Sequence, residues 1–109
     1  LGLRVGTALS HYAVAKAGVV QLTKAMAMEL ARNNIRVNAI APGYFRTEMN
    51  TDYFDTQQGQ DYIRSKVPMR RLGQMEELDG PLLLLASEAG SFITGTVINV
   101  DGGHLSNSL

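Results

Sequence analysis

From His11 to about Arg32 the chain runs without proline and carries alanine at 13, 15, 17, 25, 27 and 31. The run is made mostly of good helix formers, so it predicts one long helix. Ile35 to Ala41 follows, rich in Ile, Val and Ala, and stops at Pro42-Gly43. That run reads as a buried strand. Thr96 to Val100 is a second β-branched run, closed by Asp101-Gly102-Gly103. Between them Met75 to Glu88 has a helical pattern. A strand, a crossover helix and another strand make a right-handed unit with parallel strands, which puts the chain in the α/β class.

The details sharpen this frame. Ser10 is the expected N-cap of the long helix, and Leu1 to Thr7 the expected loop before it. Ala15, Val19, Leu22, Met26 and Leu30 recur at helical spacing as the expected core stripe. Tyr12, Lys16 and Thr23 fall on an adjacent face. Ala13, Ala17 and Ala27 would admit a close neighbour, either another part of the chain or a second subunit. Asn33 or Asn34 suits the left-handed residue that ends a helix. Gly43 would allow close approach by a ligand or by another chain segment. Residues 44–73 are polar and contain Tyr53, Phe54, Tyr62 and Ile63. One or two short helices are expected there, as a lid or binding loop or as a surface excursion anchored by its aromatics. Pro81 predicts a kink, or a short first turn with the main helix restarting at Pro81. Leu82 to Leu85 should pack on the sheet, and Gly90 should stop the helix.

Composition narrows the function. Ten basic residues balance ten acidic ones, so no charge field favours nucleic acid or an anionic membrane. The absence of cysteine removes disulfides and thiolate metal sites, and His11 and His104 lie far apart, so no metal site is expected. The apolar run from Pro81 to Ala86 is too short to span a bilayer, and no signal-peptide pattern opens the chain. The expectation is a cytoplasmic protein.

One pair carries chemistry. Tyr12 and Lys16 sit four residues apart, on one face of a helix. A phenol titrates near about pH 10, and an ammonium beside it favours the phenolate. A tyrosine tuned in this way exchanges protons with an alcohol or alkoxide. Alone the pair also fits an ordinary half-buried tyrosine with a solvated lysine beside it.

Further motifs follow the pair. They are Asn38-Ala39-Ile40-Ala41-Pro42-Gly43, Arg71-Leu72-Gly73, Leu84-Leu85-Ala86-Ser87, Ile93-Thr94-Gly95 and Asn99-Val100-Asp101-Gly102-Gly103. With Tyr12-x-x-x-Lys16 they resemble the C-terminal part of a short-chain dehydrogenase/reductase. The resemblance is to the compact single-domain branch that includes 3-oxoacyl-carrier-protein reductases and sugar and alcohol dehydrogenases, and it covers nearly the whole chain. It implies the C-terminal part of a doubly wound, Rossmann-type parallel sheet. It implies NAD or NADP as cofactor, a small alcohol or ketone as substrate, and a homodimer or homotetramer built partly on the 11–32 helix. Tyr12 would be the acid/base, with Lys16 lowering its pKa and binding the nicotinamide ribose. Pro42, Gly43 and the backbone at Phe45 would border the nicotinamide. The Thr47 hydroxyl would meet its carboxamide or phosphate. Tyr44, Met49 and Tyr53 would face the substrate.

The family's glycine-rich phosphate turn, its NAD/NADP-selecting residue and its upstream catalytic serine have no counterpart here, and Ser10 is too close to Tyr12 to be that serine. Residues 1–109 are therefore expected to form the catalytic half of one domain, with the cofactor-binding half outside this sequence. The competing reading is a non-catalytic scaffold that kept only the helix-pairing surface.

Overall fold

The computed structural model describes residues 2–104, with side chains from Ala13 onward in the first helix. In chain order the elements are α1 (Gly2–Leu30), β1 (Ala39–Pro42), α2 (Thr51–Phe54), α3 (Gln57–Lys66), α4 (Asp79–Ala86) and β2 (Val97–Val100). β1 and β2 pair in a two-stranded sheet. Ala39 N–H donates to the Thr96 carbonyl and Gly43 N–H to that of Val100, and this constant offset makes the strands parallel. The α/β expectation holds. The chain divides into two compact units, Leu1–Ala39 with Ser91–Val97 and Ile40–Gly90 with Ile98–Leu109.

In the first unit α1 is already helical at Gly2, so the loop expected over residues 2–7 is absent; Leu1 lies outside the described residues. No proline interrupts Gly2–Leu9, and Leu3, Arg4, Ala8 and Leu9 favour helix. Ser10 stands inside this helix, so it is not an N-cap, which requires non-helical backbone. The expected core stripe is also corrected. Val19, Leu22 and Met26 are 46%, 60% and 38% exposed, and the buried residues are Thr23 and Ala27. Periodicity marks an apolar face; it does not say what covers it. Burial here follows size and hydrogen bonding instead. A Cβ added at Gly95 would lie 3.4 Å from that of Ala27, and Thr23 satisfies its hydroxyl by donating to the Val19 carbonyl at 2.7 Å.

A 3-10 turn at Ala31–Asn33 follows, and Asn34 takes the expected left-handed conformation at φ 62°. The strand expected from Ile35 begins only at Ala39. Just before it, side chains take up most of the pairing, beside one backbone bond from Gly95 N–H to the Val37 carbonyl at 2.8 Å. Val37 N–H donates to Thr94 Oγ1 at 3.0 Å. Asn38 Nδ2 donates to the Ile93 carbonyl, and its Oδ1 accepts from Thr96 N–H, both at 3.0 Å. Asn38 thus ties two points of the 93–96 turn. Replacing Asn38 by Ala should destabilise the fold by about 1–2 kcal/mol, because Thr96 N–H loses its partner and the Ile93 carbonyl keeps only Arg36 Nη1 at 3.4 Å. Chemical denaturation checks this; an unchanged midpoint would remove Asn38 from this role.

In the second unit the core is Ile63, Val67 and Leu72, with Tyr44 and Phe54 packed against it. The two short helices expected between residues 44 and 73 are present. α3 sends Ile63 into the core, and Gly59 is buried where a side chain would strike the Tyr53 carbonyl. Gly59 therefore serves close packing of α3 on α2. Phe45 and Gly73 form an isolated parallel bridge, and a Cβ at Gly73 would lie 2.6 Å from the Phe45 ring. That contact accounts for the glycine of Arg71-Leu72-Gly73.

Pro81 lies in the first turn of α4, which starts at Asp79 after a 3-10 turn at Met75–Leu78. The expected short first turn is there, two residues early. Leu82, Leu83 and Leu84 are exposed, against the expectation that they pack on the sheet. The run is apolar on all sides, so composition alone did not tell which of its residues would find a neighbour. α4 ends at Ala86, and Gly90 closes a further 3-10 turn. Its role is close approach to the Leu84 carbonyl, not a left-handed cap.

Arg71 and Glu77 lock the entry to this region. Arg71 Nη1 and Nη2 donate to the two Glu77 carboxylate oxygens at 2.8 and 3.0 Å. Gln74 N–H donates to the same carboxylate, in a capping box. These bonds, the Arg71 one foremost, lower the Glu77 pKa from the ordinary 4.5 to about 2. Because the folded value is depressed, the stabilisation is complete above pH 4.5 and is lost as pH falls toward 2. Thermal midpoints of wild type and Glu77→Gln should therefore converge across that window. A gap that persists unchanged at its acid end would contradict the linkage.

Among the described residues no helix is long and apolar enough to cross a membrane.

Candidate active site

Tyr12 and Lys16 both lie in α1, so their spacing puts them on one face, one turn apart. The Tyr12 side chain is outside the described residues, while Lys16 is half-buried. Of the other expected residues, five converge in the second unit. Pro42, Gly43, Tyr44, Phe45 and Thr47 line a cleft of about 330 Å³, together with Asn50, Met75 and Leu78.

The cleft is built by the turn that ends β1. A Cβ at Gly43 would lie 2.7 Å from that of Asp101, so the close approach that needs this glycine is made by another chain segment. Asp101 in turn starts a tight turn: its Oδ1 accepts from Gly103 N–H at 2.9 Å. Gly102 and Gly103 have φ of 62° and 91°, a region that side chains disfavour. The closing Asp-Gly-Gly is thereby a structural partner of the Pro-Gly turn. Phe45 is buried, and Tyr44 meets Phe54, Tyr62 and His104 edge-on, with its hydroxyl 3.0 Å from that of Tyr62.

Asn50 was not legible as a site residue. An Asn before a helix ordinarily caps it. Here it stands at the N-cap position of α2 but makes no cap bond. It folds back instead, donating to the Phe45 carbonyl and accepting from Thr47 N–H, each at 2.8 Å. The Thr47 carbonyl accepts from Thr51, whose hydroxyl reaches it at 2.6 Å. The backbone of Thr47 is thus fully held, while its hydroxyl has no hydrogen-bond partner among the described residues. The spacing of Asn50 three residues after Thr47 was the available signal.

Met49 is 97% exposed and Tyr53 45% exposed, and neither lines the cleft. A second cleft of about 350 Å³ adjoins the first through Tyr44 and Phe45 and is bordered by Arg71, Gly73 and Asp101.

Comparison with known proteins fits this arrangement. Residues 1–104 match the family model described as enoyl-(acyl carrier protein) reductase. The chain is 44% identical over 94 residues to a 3-oxoacyl-[acyl-carrier-protein] reductase of Thermotoga maritima, covering 86% of this chain and 37% of that one. It is 41% identical over 97 residues to the 5-keto-D-gluconate 5-reductase of Escherichia coli, covering 89% of this chain and 38% of the relative. Among solved structures, a gluconate 5-dehydrogenase from Burkholderia cenocepacia in complex with NADP and tartrate superposes with a TM-score of 0.75 at 42% identity, over 87% of this chain and 37% of that one. The chain belongs to the short-chain dehydrogenase/reductase family. It spans 37–41% of the length of the curated relatives it matches.

Proposed function

We propose that these residues are the C-terminal catalytic half of a single Rossmann-type domain, in an NAD(P)-dependent oxidoreductase that interconverts a secondary alcohol and a ketone. The observation that carries the reading is the cleft that gathers Pro42, Gly43, Phe45 and Thr47. It has largely apolar walls and one hydroxyl with no partner among the described residues. A flat ring bearing a single polar group suits such walls, and a nicotinamide is such a ring. When bound, that ring supplies or accepts the hydride. Pro42, Gly43 and the Phe45 backbone border it, and Thr47 Oγ1 binds its carboxamide or a cofactor phosphate.

Tyr12 moves the proton. Its phenol donates to the oxygen of a ketone as that oxygen gains charge, and its phenolate takes the proton from an alcohol in the reverse direction. Lys16 holds the phenolate form within reach of neutral pH and hydrogen-bonds the ribose. Tyr44, Met49 and Tyr53 face the substrate; of the three, Tyr44 lines the cleft. The whole protein is a cytoplasmic homodimer or homotetramer, with the 11–32 helix in its interface. The names of relatives that reduce keto groups on acyl and sugar-acid chains support the substrate class.

Titrating the full-length protein with NADH and NADPH, followed by cofactor fluorescence, tests the reading. Saturable binding of at least one is expected. Asn50→Ala should weaken it by about tenfold, since the bonds that fix Thr47 are lost, with a smaller effect on turnover at saturation. Binding of neither cofactor would refute the proposal.

A further inference from the structure

Arg46, Arg64, Arg70 and Arg71 line a single cavity of about 190 Å³ in the second unit, and no acidic side chain lines it. Its floor includes Ile63 and Leu72, which are 4% and 7% exposed. Two of these arginines are committed. Arg46 pairs with Asp55 at 2.8 Å, and Arg71 holds Glu77 with both terminal nitrogens. The other two are not saturated. Arg64 approaches Asp61 only at 3.7 Å, too far for a hydrogen bond, and Arg70 has no ionic partner among the described residues. Four guanidiniums against three carboxylates leave one positive charge uncompensated.

The backbone adds a second, independent sign. Arg70 has φ 63°, in the left-handed region that glycine occupies at no cost and that an arginine enters at a penalty. The turn there is closed by Arg70 N–H donating to the Val67 carbonyl at 2.7 Å, a bond any residue but proline would make. Local geometry therefore asks for glycine, and the guanidinium is what arginine adds. Strain of this kind gathers at binding sites.

We propose that this cavity binds a small oxyanion, a phosphate group on a small molecule or free in solution. Arg64 and Arg70 supply donor forks for its oxygens, and the one uncompensated positive charge favours an anion. The apolar floor keeps water from screening that charge from below. A phosphate suits the site better than a carboxylate because it carries about −1.5 to −2 charge and offers three acceptor oxygens to two separate forks. The cavity's volume is roughly six times the ~30 Å³ share of a liquid water, enough for a phosphate group and its first substituent.

Calorimetric titration of the full-length protein tests this, with NADPH or NADH at saturation so that cofactor phosphate sites are filled. The probes are inorganic phosphate and phosphoserine, with chloride at matched ionic strength as control. Saturable heat from at least one phosphate probe is expected, and tighter binding of phosphoserine would favour a phosphomonoester over the free ion. Arg64→Gln and Arg70→Gly should each weaken it by about tenfold or more. Arg70→Gly fits the left-handed backbone, so its thermal midpoint in phosphate-free buffer should not fall. Heat no different from chloride, or binding unchanged in both variants, would overturn the proposal. So would an Arg70→Gly protein that melts lower without phosphate yet binds it normally, which would make Arg70 a structural residue.

Discussion

Tyr12→Phe in the full-length protein should lower turnover by about two to four orders of magnitude and leave cofactor affinity nearly unchanged. The ring stays and only the exchangeable proton goes, so binding has little reason to change. Lys16→Ala should lower turnover and weaken cofactor binding together, because both tuning the phenol and binding the ribose are proposed for its ammonium. Its remaining activity should also shift to higher pH, since the proposed task of the ammonium is to favour the phenolate. Steady-state kinetics across pH separate the two variants. Near-full activity in Tyr12→Phe would overturn the acid/base assignment.

The 109 residues expressed alone should fail to melt cooperatively. Phe92, Met28, Val14, Leu83, Leu22 and Leu82 are 101%, 82%, 72%, 65%, 60% and 56% exposed. Each large apolar side chain left in water forgoes roughly 1.5–3 kcal/mol, against a net stability of only about 5–15 kcal/mol for a whole domain. Among the described residues the sheet has two strands, so both its edges are open. Calorimetry of the isolated chain beside the full-length protein decides the point. A sharp two-state transition with sedimentation as a monomer would contradict it; aggregation or a broad, non-cooperative melt is expected.

Much of the fold was legible because its signals are local. The Ala-rich run forms a helix, Asn34 turns left-handed, and the runs before Pro42-Gly43 and Asp101-Gly102-Gly103 contain the two strands. What failed was whatever depended on distant partners. Val19, Leu22 and Leu82 carry the right periodicity or hydropathy for a core, but burial needs a neighbour, and spacing within one segment does not supply it. Ser10 had the chemistry of a cap in a position where the helix simply continues. The strand over 35–38 was displaced by the Asn38 and Thr94 side chains, a long-range pairing invisible from either segment alone. At the site, Pro42, Gly43, Tyr44, Phe45 and Thr47 were legible through resemblance and do share a cleft. Asn50 was not, because its useful bonds run backward from the place where a helix cap is expected to run forward. The family motifs proved partly structural: Gly43 makes room for Asp101, and Gly73 for the Phe45 ring.

Hydride transfer can be followed with an isotope. The full-length protein is incubated with reduced cofactor carrying deuterium at the transferring carbon, and with 3-oxoacyl thioesters and keto-gluconates. The expected result is deuterium at the carbinol carbon of at least one product, lost in Tyr12→Phe. Saturable cofactor binding with no deuterium in any product, or transfer that survives Tyr12→Phe unchanged, would contradict it.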